Sequence, residues 1–349
     1  MANAPEISPL TVTTNGRTFG GWKAATIRTS IENLAGGFTI DASERWPGGQ
    51  TLLGPGQAVT VAIGGTPVIE GFIDAVGATY DGTTHSVTIA GRDRTGDLVD
   101  CSADHKPGEW QGVPIATIAR ELCKPFGIPV AIDGDQGRPF EYFRLTEGET
   151  VAAALEKLCR HRALLRVADS RGGLLLTRAG TTRAPAAIEL GVNVLSASGQ
   201  FDDSQRFSIY KVKGQGAQVD LYAPMQTVSP VASVPDNGIK RHRPLIIIAE
   251  EPGYEEQYAV RAQWEANMRF GKARRATYTL AGWTANNTLW RPNARVRVKD
   301  SFIGVEEEML IVGVDYTLDD KGSRVALHVA RPAAFDLRPM PDPKRQVML

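Results

Sequence analysis

The sequence predicts a mainly β fold with α+β additions: two similar β-barrels per chain plus smaller α/β domains. Three observations predict it. Short alternating or apolar runs crowd the first hundred residues, helical spacing is confined to three later stretches, and one strand pattern recurs near the two ends of the chain.

The elements follow in order. "AVTVAI" (58–63), "VIEGFIDAVGATY" (68–80) and "HSVTIAG" (85–91) read as strands, separated by "GG" and "YDGTTH". Val59, Val61 and Ile63 share one face, as do Val87 and Ile89, because strand side chains alternate. Short strands with turn signals at this density predict a barrel or sandwich. The character changes near residue 112. "VPIATIARELCKPFGIPV" puts Ile115, Ile118, Ala119, Leu122 and Cys123 at helical spacing, and Pro125 ends the run. A second helix follows "TEGE", where Thr146 and Glu149 have capping-box spacing. Its buried stripe is Val151, Ala154, Leu155, Leu158 and Cys159. "ALLRVA" and "GLLLTRAG" then form a hairpin around "DSRGG". From about 186 the chain is β-like again, with "FSIYKVKGQG" (207–216) and a Pro-punctuated stretch ending in "PLIII". A third helix spans 254–270, where Val260, Trp264 and Met268 stand one turn apart. β-character resumes from "ATYTLAGW" to "RVALHVARP", before a Pro-rich, polar tail.

The recurrence is the most informative feature. Pro55, Val59 and Val61 match Pro292, Val296 and Val298 at a constant offset of 237. Ile73, Val76, Thr79, Asp81, Val87 and Ile89 match Ile311, Val314, Thr317, Asp319, Val325 and Leu327 at 238. Upstream, "GFTID" followed by Trp46 is similar to "TYTLA" followed by Trp290. A register held this long, with a matched turn, reads as one β-barrel used twice. The predicted domains are a first β-barrel at 1–103, a small α+β domain at 104–185, and a discontinuous second β-barrel at 186–216 and 275–335. An insertion with strand and helix occupies 217–274, and an extended tail 336–349.

Composition narrows the function. Lys plus Arg (39) equals Asp plus Glu (39), so there is no basic excess of the kind a general nucleic-acid binder carries. Cys101, Cys123 and Cys159 are odd in number and widely spaced, which argues against a disulfide framework and for a reducing compartment. No apolar run approaches the ~20 residues of a membrane span. The N-terminus shows no basic region followed by an apolar run, so the sequence predicts no signal peptide and synthesis in a cytoplasm.

"GRDRTGDLVDCSA" (91–103) looks at first like a catalytic cluster. Paired-carboxylate chemistry needs two carboxyls with pKa values pushed apart. Here Asp93, Asp97 and Asp100 are interleaved with Arg92 and Arg94, which keep carboxylates ionised. The stretch reads as turn and salt-bridge residues at the exit from the first barrel. "HVARPAAFD" holds the same place in the second copy, with Arg331 standing for Arg92. Cys101 with His105, and Cys159 with His161, lack zinc-site spacing. Cys159 sits on an apolar helical face, as a small hydrophobe does. Hydrolase, zincin, Walker and dinucleotide motifs do not occur, and Gly214 with Gly216 makes only a bare G-x-G. The basic runs 240–243 and 271–275 and the acidic runs 250–256 and 305–308 suit solvated faces or subunit contacts. Arg241, Arg243, Arg274, Arg275, Arg295, Arg297 and Lys299 are the candidate interface residues. No catalytic, metal or cofactor site is predicted.

"FGGW", "GRDRTGDLVDCSA", "PFGIPV", "EGETVAAALEKLC", "RFSIYKVKGQG", "RHRPLII", "RAQWEANMR" and "LIVGVDYTLDDKGSRVAL" occur in one order from about residue 8 to 335. This ordered set resembles the baseplate hub proteins of Mu-like contractile-tailed phages, the tail protein P family. The resemblance implies the tail hub fold, with two similar β-barrels per subunit. It also implies a homotrimer at the baseplate centre that joins the six-fold tail tube to the trimeric spike. Further partners would be the tape measure and other baseplate proteins, without sequence-specific nucleic acid or membrane insertion, and the location is the virion tail. It brings no catalytic residues. The alternative is a tail-associated cell-wall hydrolase, which needs a carboxylate cleft, a Cys/His dyad or a zinc motif. A third reading, a β-domain adhesin, predicts a monomer or an unrelated oligomer.

Overall fold

The computed structural model describes residues 9–43, 53–81, 85–214, 231–248 and 255–336. The first part is all β: β1 (Leu10–Thr14), β2 (Arg17–Phe19), β3 (Ala24–Ser30), β4 (Gly37–Ser43), β5 (Ala58–Ile63), β6 (Thr66–Tyr80) and β7 (His85–Asp93). An α/β unit follows. It holds α1 (Gly96–Asp100), β8 (Glu109–Trp110), α2 (Ile115–Cys123), β9 (Val130–Ile132), β10 (Phe143–Arg144), α3 (Val151–Arg162), β11 (Leu165–Ala168) and β12 (Leu174–Thr177). The stripes read from periodicity are buried as expected, Ile115 to Cys123 on α2 and Val151 to Cys159 on α3, and they pack together with Leu174 and Leu176. The cap of α3 is a correction. The Thr150 side chain accepts from the Ala153 N–H, while Thr146 and Glu149 close a turn before the helix, the Thr146 N–H donating to the Glu149 carboxylate.

The chain then returns to β structure in β13 (Ile188–Glu189) and β14 (Val194–Phe201). A second small unit interrupts it, made of β15 (Ile209–Lys213), β16 (Val231–Pro235), β17 (Pro244–Ile248) and α4 (Glu255–Lys272). Ile209–Lys213, expected in the second barrel, is the centre of this separate three-stranded sheet. Its alternation is real, but periodicity does not say which partner a strand has. Tyr258, Ala262 and Ala266 of α4 pack on Tyr210 and Val212, whereas Val260 is exposed and Trp264 and Met268 are half-buried. The small residues face the sheet because they let the helix approach. Gly271 likewise lies against the backbone of Ala334, where a Cβ would sit 2.3 Å from its nitrogen.

The remaining strands are β18 (Arg274–Ala281), β19 (Thr284–Ala285), β20 (Thr288–Leu289), β21 (Arg295–Lys299), β22 (Glu308–Asp319) and β23 (Gly322–Ala330). One 13-stranded sheet runs β14-β18-β23-β22-β3-β4-β7-β6-β5-β1-β2, with β21 beside β22 and β13 beside β21. The curled sheet closes over an apolar core that draws on both parts of the chain, from Val12, Ile27 and Ile73 to Tyr278, Ile311 and Val329.

The same pairing scheme occurs twice in this sheet. In β6–β7, Val76 faces Ile89; in β22–β23, Val314 faces Leu327. Each hairpin shifts register at one point, between Ile73 and Ala75 and between Ile311 and Gly313, positions 238 apart. Val59 faces Gly71 as Val296 faces Met309, so the one-residue change of offset read in the sequence falls in the β5–β6 connection. The upstream match is corrected by two residues. Ile40 faces Ile89 and Tyr278 faces Leu327, so "GFTID" corresponds to 275–279 and not to "TYTLA". A slip of two keeps every side chain on its face, which is why alternation did not detect it. Ala330, not Arg331, takes the place of Arg92; Arg331 takes that of Asp93. Trp46 lies outside the described residues.

Candidate assembly surface

The stretch 91–103 is a structural junction. The Arg92 guanidinium donates to Asp100 (2.6 and 3.2 Å) and to Asp74 (2.8 Å). Those bonds hold the Arg92 charge firmly and lower the Asp100 carboxyl below its usual range. Arg94 pairs with Glu70 at 3.1 Å. Asp93 is buried and accepts from the Thr95 N–H (2.9 Å) and hydroxyl (2.8 Å); burial pushes its pKa up to about 6. Burial likewise pushes the Cys123 and Cys159 thiols up to about 12, so both are inert near neutral pH. His105 stacks on Trp110 and His161 stands edge-on to Phe140. Among the described residues no His, Cys, Asp and Glu group has metal-binding geometry.

The polar face of the sheet forms a concavity of about 1110 Å³ lined by β14, β18, β23, β22, β3, β4 and β7. Its floor crosses the seam where β22 of the second part meets β3 of the first. That seam is an antiparallel ladder from Gly313 opposite Ser30 to Leu318 opposite Ala25. The Ile31 N–H and the Ser30 hydroxyl both donate to the Val312 carbonyl at 2.9 Å. Arg275 clamps Glu32 across the seam through two bonds of 2.8 and 2.6 Å, which lower the Glu32 carboxyl. Arg28 lies 3.7 Å from Asp315, which also contacts His328 at 3.2 Å.

Most predicted contact residues work inside the chain. Besides Arg275, Arg295 pairs with Glu308 and Lys299 with Glu189. Arg243 donates to the carbonyls of Ser204 and Arg206, and Arg274 lies over Phe201. Arg241 and Arg297 stand exposed, on the inserted unit and on β21. In the acidic run 305–308, Glu307 holds Arg331 at 2.8 Å; most of 250–256 lies outside the described residues.

Two open strand edges complete the surface. The N-terminal half of β6 pairs with β5 as far as Phe72, but along Ala75–Thr79 that side carries no strand among the described residues. β14 is the terminal strand of the sheet and is exposed from Leu195 to Phe201. Sequence reading missed both, because strand periodicity carries no signal for a missing neighbour.

Comparison with known proteins places these features in a family context. Residues 9–93 match the family described as Mu phage baseplate assembly protein GpP-like, N-terminal. Residues 95–178 match baseplate hub protein gp44-like, second domain, and residues 255–338 match Mu phage baseplate assembly protein GpP, fourth domain. Baseplate hub protein gp44 of Escherichia phage Mu is 34% identical over 323 residues, covering 89% of this chain and 84% of that protein. The crystal structure of the 43 kDa tail protein of prophage MuSo2 from Shewanella oneidensis superposes with a TM-score of 0.83 at 36% identity, covering 95% of this chain and all of that one. A tail protein from Neisseria meningitidis MC58 shares the fold, with a TM-score of 0.78 at 20% identity over 95% of this chain and 99% of that one.

Proposed function

Since the chain belongs to the family of Mu-like phage baseplate hub proteins, it is a component of the virion tail baseplate, and we propose that three copies form the adaptor between the six-fold tail tube and the three-fold spike. The observation that carries this reading is the pairing scheme repeated within one chain. Each repeat is read as one β-barrel unit, so three chains supply six units of like geometry. A closed ring needs like surfaces at every contact. The polar concavity then faces the central channel, and the buried core faces away from it.

The tail tube protein packs on one side of this ring and the spike on the other, with the tape measure and other baseplate proteins as further partners. The exposed Arg241 and Arg297 are contact candidates in it. The role is structural and not enzymatic. At the domain exit Asp100 is tied to Arg92 and Asp93 is buried against Thr95, and the buried thiols are shifted away from reactivity.

Multi-angle light scattering of the full chain, alone and mixed with its spike, tests the reading. A mass of three chains in either sample is expected. A stable monomer in both overturns it. The same sample is expected to release no fragments from purified peptidoglycan, and release would establish the hydrolase reading instead.

A further inference from the structure

We propose that the inserted unit, β15 to β17 with α4, docks an acidic amphipathic helix of another protein on the face of its sheet that α4 leaves bare. The proposal goes beyond the adaptor reading and does not depend on the number of copies. It starts from the strands themselves. β15 and β17 are parallel neighbours, and β17 reads "PLIII", apolar on both of its faces. Parallel strands with such runs belong to sheets covered on both sides. Here one side alone is covered. Tyr210, Val212 and Ala232 pack against Tyr258, Ala262 and Ala266 of α4, with Val234, Leu245 and Ile247 beside them.

Alternation sends the other residues to the far face, and the register orders them in rows. Ile209 lies between Pro235 and Pro244, Lys211 between Ser233 and Ile246, and Lys213 between Val231 and Ile248. Val231, Ile246 and Ile248 are 43%, 52% and 57% exposed. A solvated sheet face carries polar residues at such positions. This one carries aliphatic ones, around two lysines and no carboxylate. The missing cover is a second helical layer, because sheets of this kind are closed by helices on both faces. The size agrees: three strands of five residues present roughly 10 by 16 Å, and a helix with its side chains is about 10–12 Å across.

Charge selects the helix. Elsewhere in the unit the arginines are satisfied, Arg206 by Asp203 and Asp236, and Arg261 and Arg269 by Glu265. Lys211 and Lys213, at the centre of the bare face, have no ion pair among the described residues. Lys240 and Arg241 stand exposed on the loop from β16 to β17, which rims the face at its Pro235–Pro244 end. The one carboxylate of that loop, Asp236, is already bound by Arg206. An occupant with Asp or Glu flanking an apolar stripe complements both the isoleucines and these cations. Residues 215–230, which join β15 to β16, hold a single acidic group, Asp220, and do not balance them. The face has no Phe, Tyr or Trp, the residues on which nucleic-acid bases stack and which anchor proteins at a lipid surface.

The test is photo-crosslinking of the full chain within assembled tail baseplates. p-Benzoylphenylalanine is placed at Ile246 or at Ile248, and at Val260, exposed on the outer side of α4, as the control. Mass spectrometry identifies the crosslinked peptides. From both isoleucine positions, and not from Val260, the expected product is one segment of another protein in which Asp or Glu flank apolar residues three and four apart. Lys211→Glu with Lys213→Glu should abolish that product without changing the thermal unfolding of the isolated chain, and Lys211→Arg with Lys213→Arg should keep it. A charge-reversed chain that folds but stays out of baseplates, which the arginine pair enters, counts as the same loss. If reversal prevents folding, Lys211→Gln with Lys213→Gln takes its place and should weaken the product. The proposal is overturned if neither isoleucine position crosslinks in assembled baseplates, if the product is this chain itself, nucleic acid or lipid, if the segment lacks carboxylates, or if the product survives the charge change. Each of these results leaves the three-fold hub standing, because light scattering reads that separately.

Discussion

The two halves of the large sheet share a pairing scheme and differ in what covers it. In the second unit the distal part of β22 is sealed: Val314 and Tyr316 are at most 1% exposed, because β3 runs alongside. In the first unit the matching part of β6 is open and Ala78, the counterpart of Tyr316, lies at the surface. The same inversion holds for the partner strands, Ile27, opposite Phe38, being buried on β3 and its counterpart Gly199, opposite Ala276, lying on exposed β14. The repeated pairing scheme leaves two strand edges of like register, and the side chains differ according to which edge is covered within the chain. Where the joint is made, large residues fill it; where it is open, small or exposed ones stand.

The largest effect is expected at the sealed joint. The Tyr316 hydroxyl donates to the Trp290 carbonyl deep in the core. Tyr316→Ala removes a buried ring and strands that carbonyl, so a loss of about 3–5 kcal/mol in urea denaturation is expected. An effect under about 1 kcal/mol would show that the second unit is not packed around this seam.

How far this was legible in the sequence depends on the kind of information each feature needs. Ile73 with Ile311, and the helical stripes on α2 and α3, are local periodicities, and the structure places them as read. Ile209–Lys213 went to the wrong sheet because a strand's alternation does not name its neighbour. Val260, Trp264 and Met268 stand one turn apart as read, but the face that packs is not theirs, because the helix packs through Ala262 and Ala266, residues too small to mark a face. Glu265 is buried on that face, paired with Arg261 and Arg269 one turn either side, and hydropathy alone would have placed it outside. The open edges were illegible in kind, since an edge is defined by the absence of a neighbour.

A second contrast lies at the ends of β7 and β23, where Asp93 and Arg331 are equivalent. Asp93 is buried with its pKa raised from 3.8 to about 6, while Arg331 is charge-paired with Glu307. An acid whose folded pKa is raised binds its proton more tightly in the native state. Its contribution is therefore full below about pH 4 and is lost as pH rises through about 6. Relative to Asp93→Asn, the native chain should lose up to about 3 kcal/mol between pH 4 and pH 7, at ~1.4 kcal/mol per pH unit. Urea midpoints of both proteins across that range check it; parallel profiles would mean that Asp93 is hydrated.

Gly91 and Val329 are the third pair. A Cβ on Gly91 would lie 2.2 Å from the Phe72 carbonyl oxygen and 2.6 Å from the Phe38 ring, while Val329 is accommodated in the core. Phe38 fills from the side the space that Val329 fills from the strand, since its counterpart is the small Ala276. Gly91→Ala is expected to cost about 1–3 kcal/mol by overpacking, measured by thermal unfolding. In a Phe38→Ala background the part of that cost due to the ring should vanish, while the part due to the Phe72 carbonyl oxygen stays. If the two substitutions are additive, the exchange of volume between the units is not the reason for the glycine.

The smallest effect is expected at the tip of the open edge, and it bears most directly on the comparison. Tyr80 and Leu318 occupy equivalent places, yet Leu318 packs against the main core and Tyr80 is 84% exposed. Leu318→Ser withdraws partly buried apolar surface and should cost about 1 kcal/mol or more. Tyr80→Ser changes a side chain that is already in water, so the stability of the isolated chain should move by no more than about 0.5 kcal/mol. Measured on isolated chains at low concentration, the two values separate a joint that folding closes from one that folding leaves open. Equal losses at the two positions would mean that the distal half of β6 is already covered in the single chain, and the contrast between the units would fail there. A silent Tyr80→Ser whose cost emerges only as chain concentration rises would locate the missing cover in a second copy, because association stabilises by mass action whatever it covers.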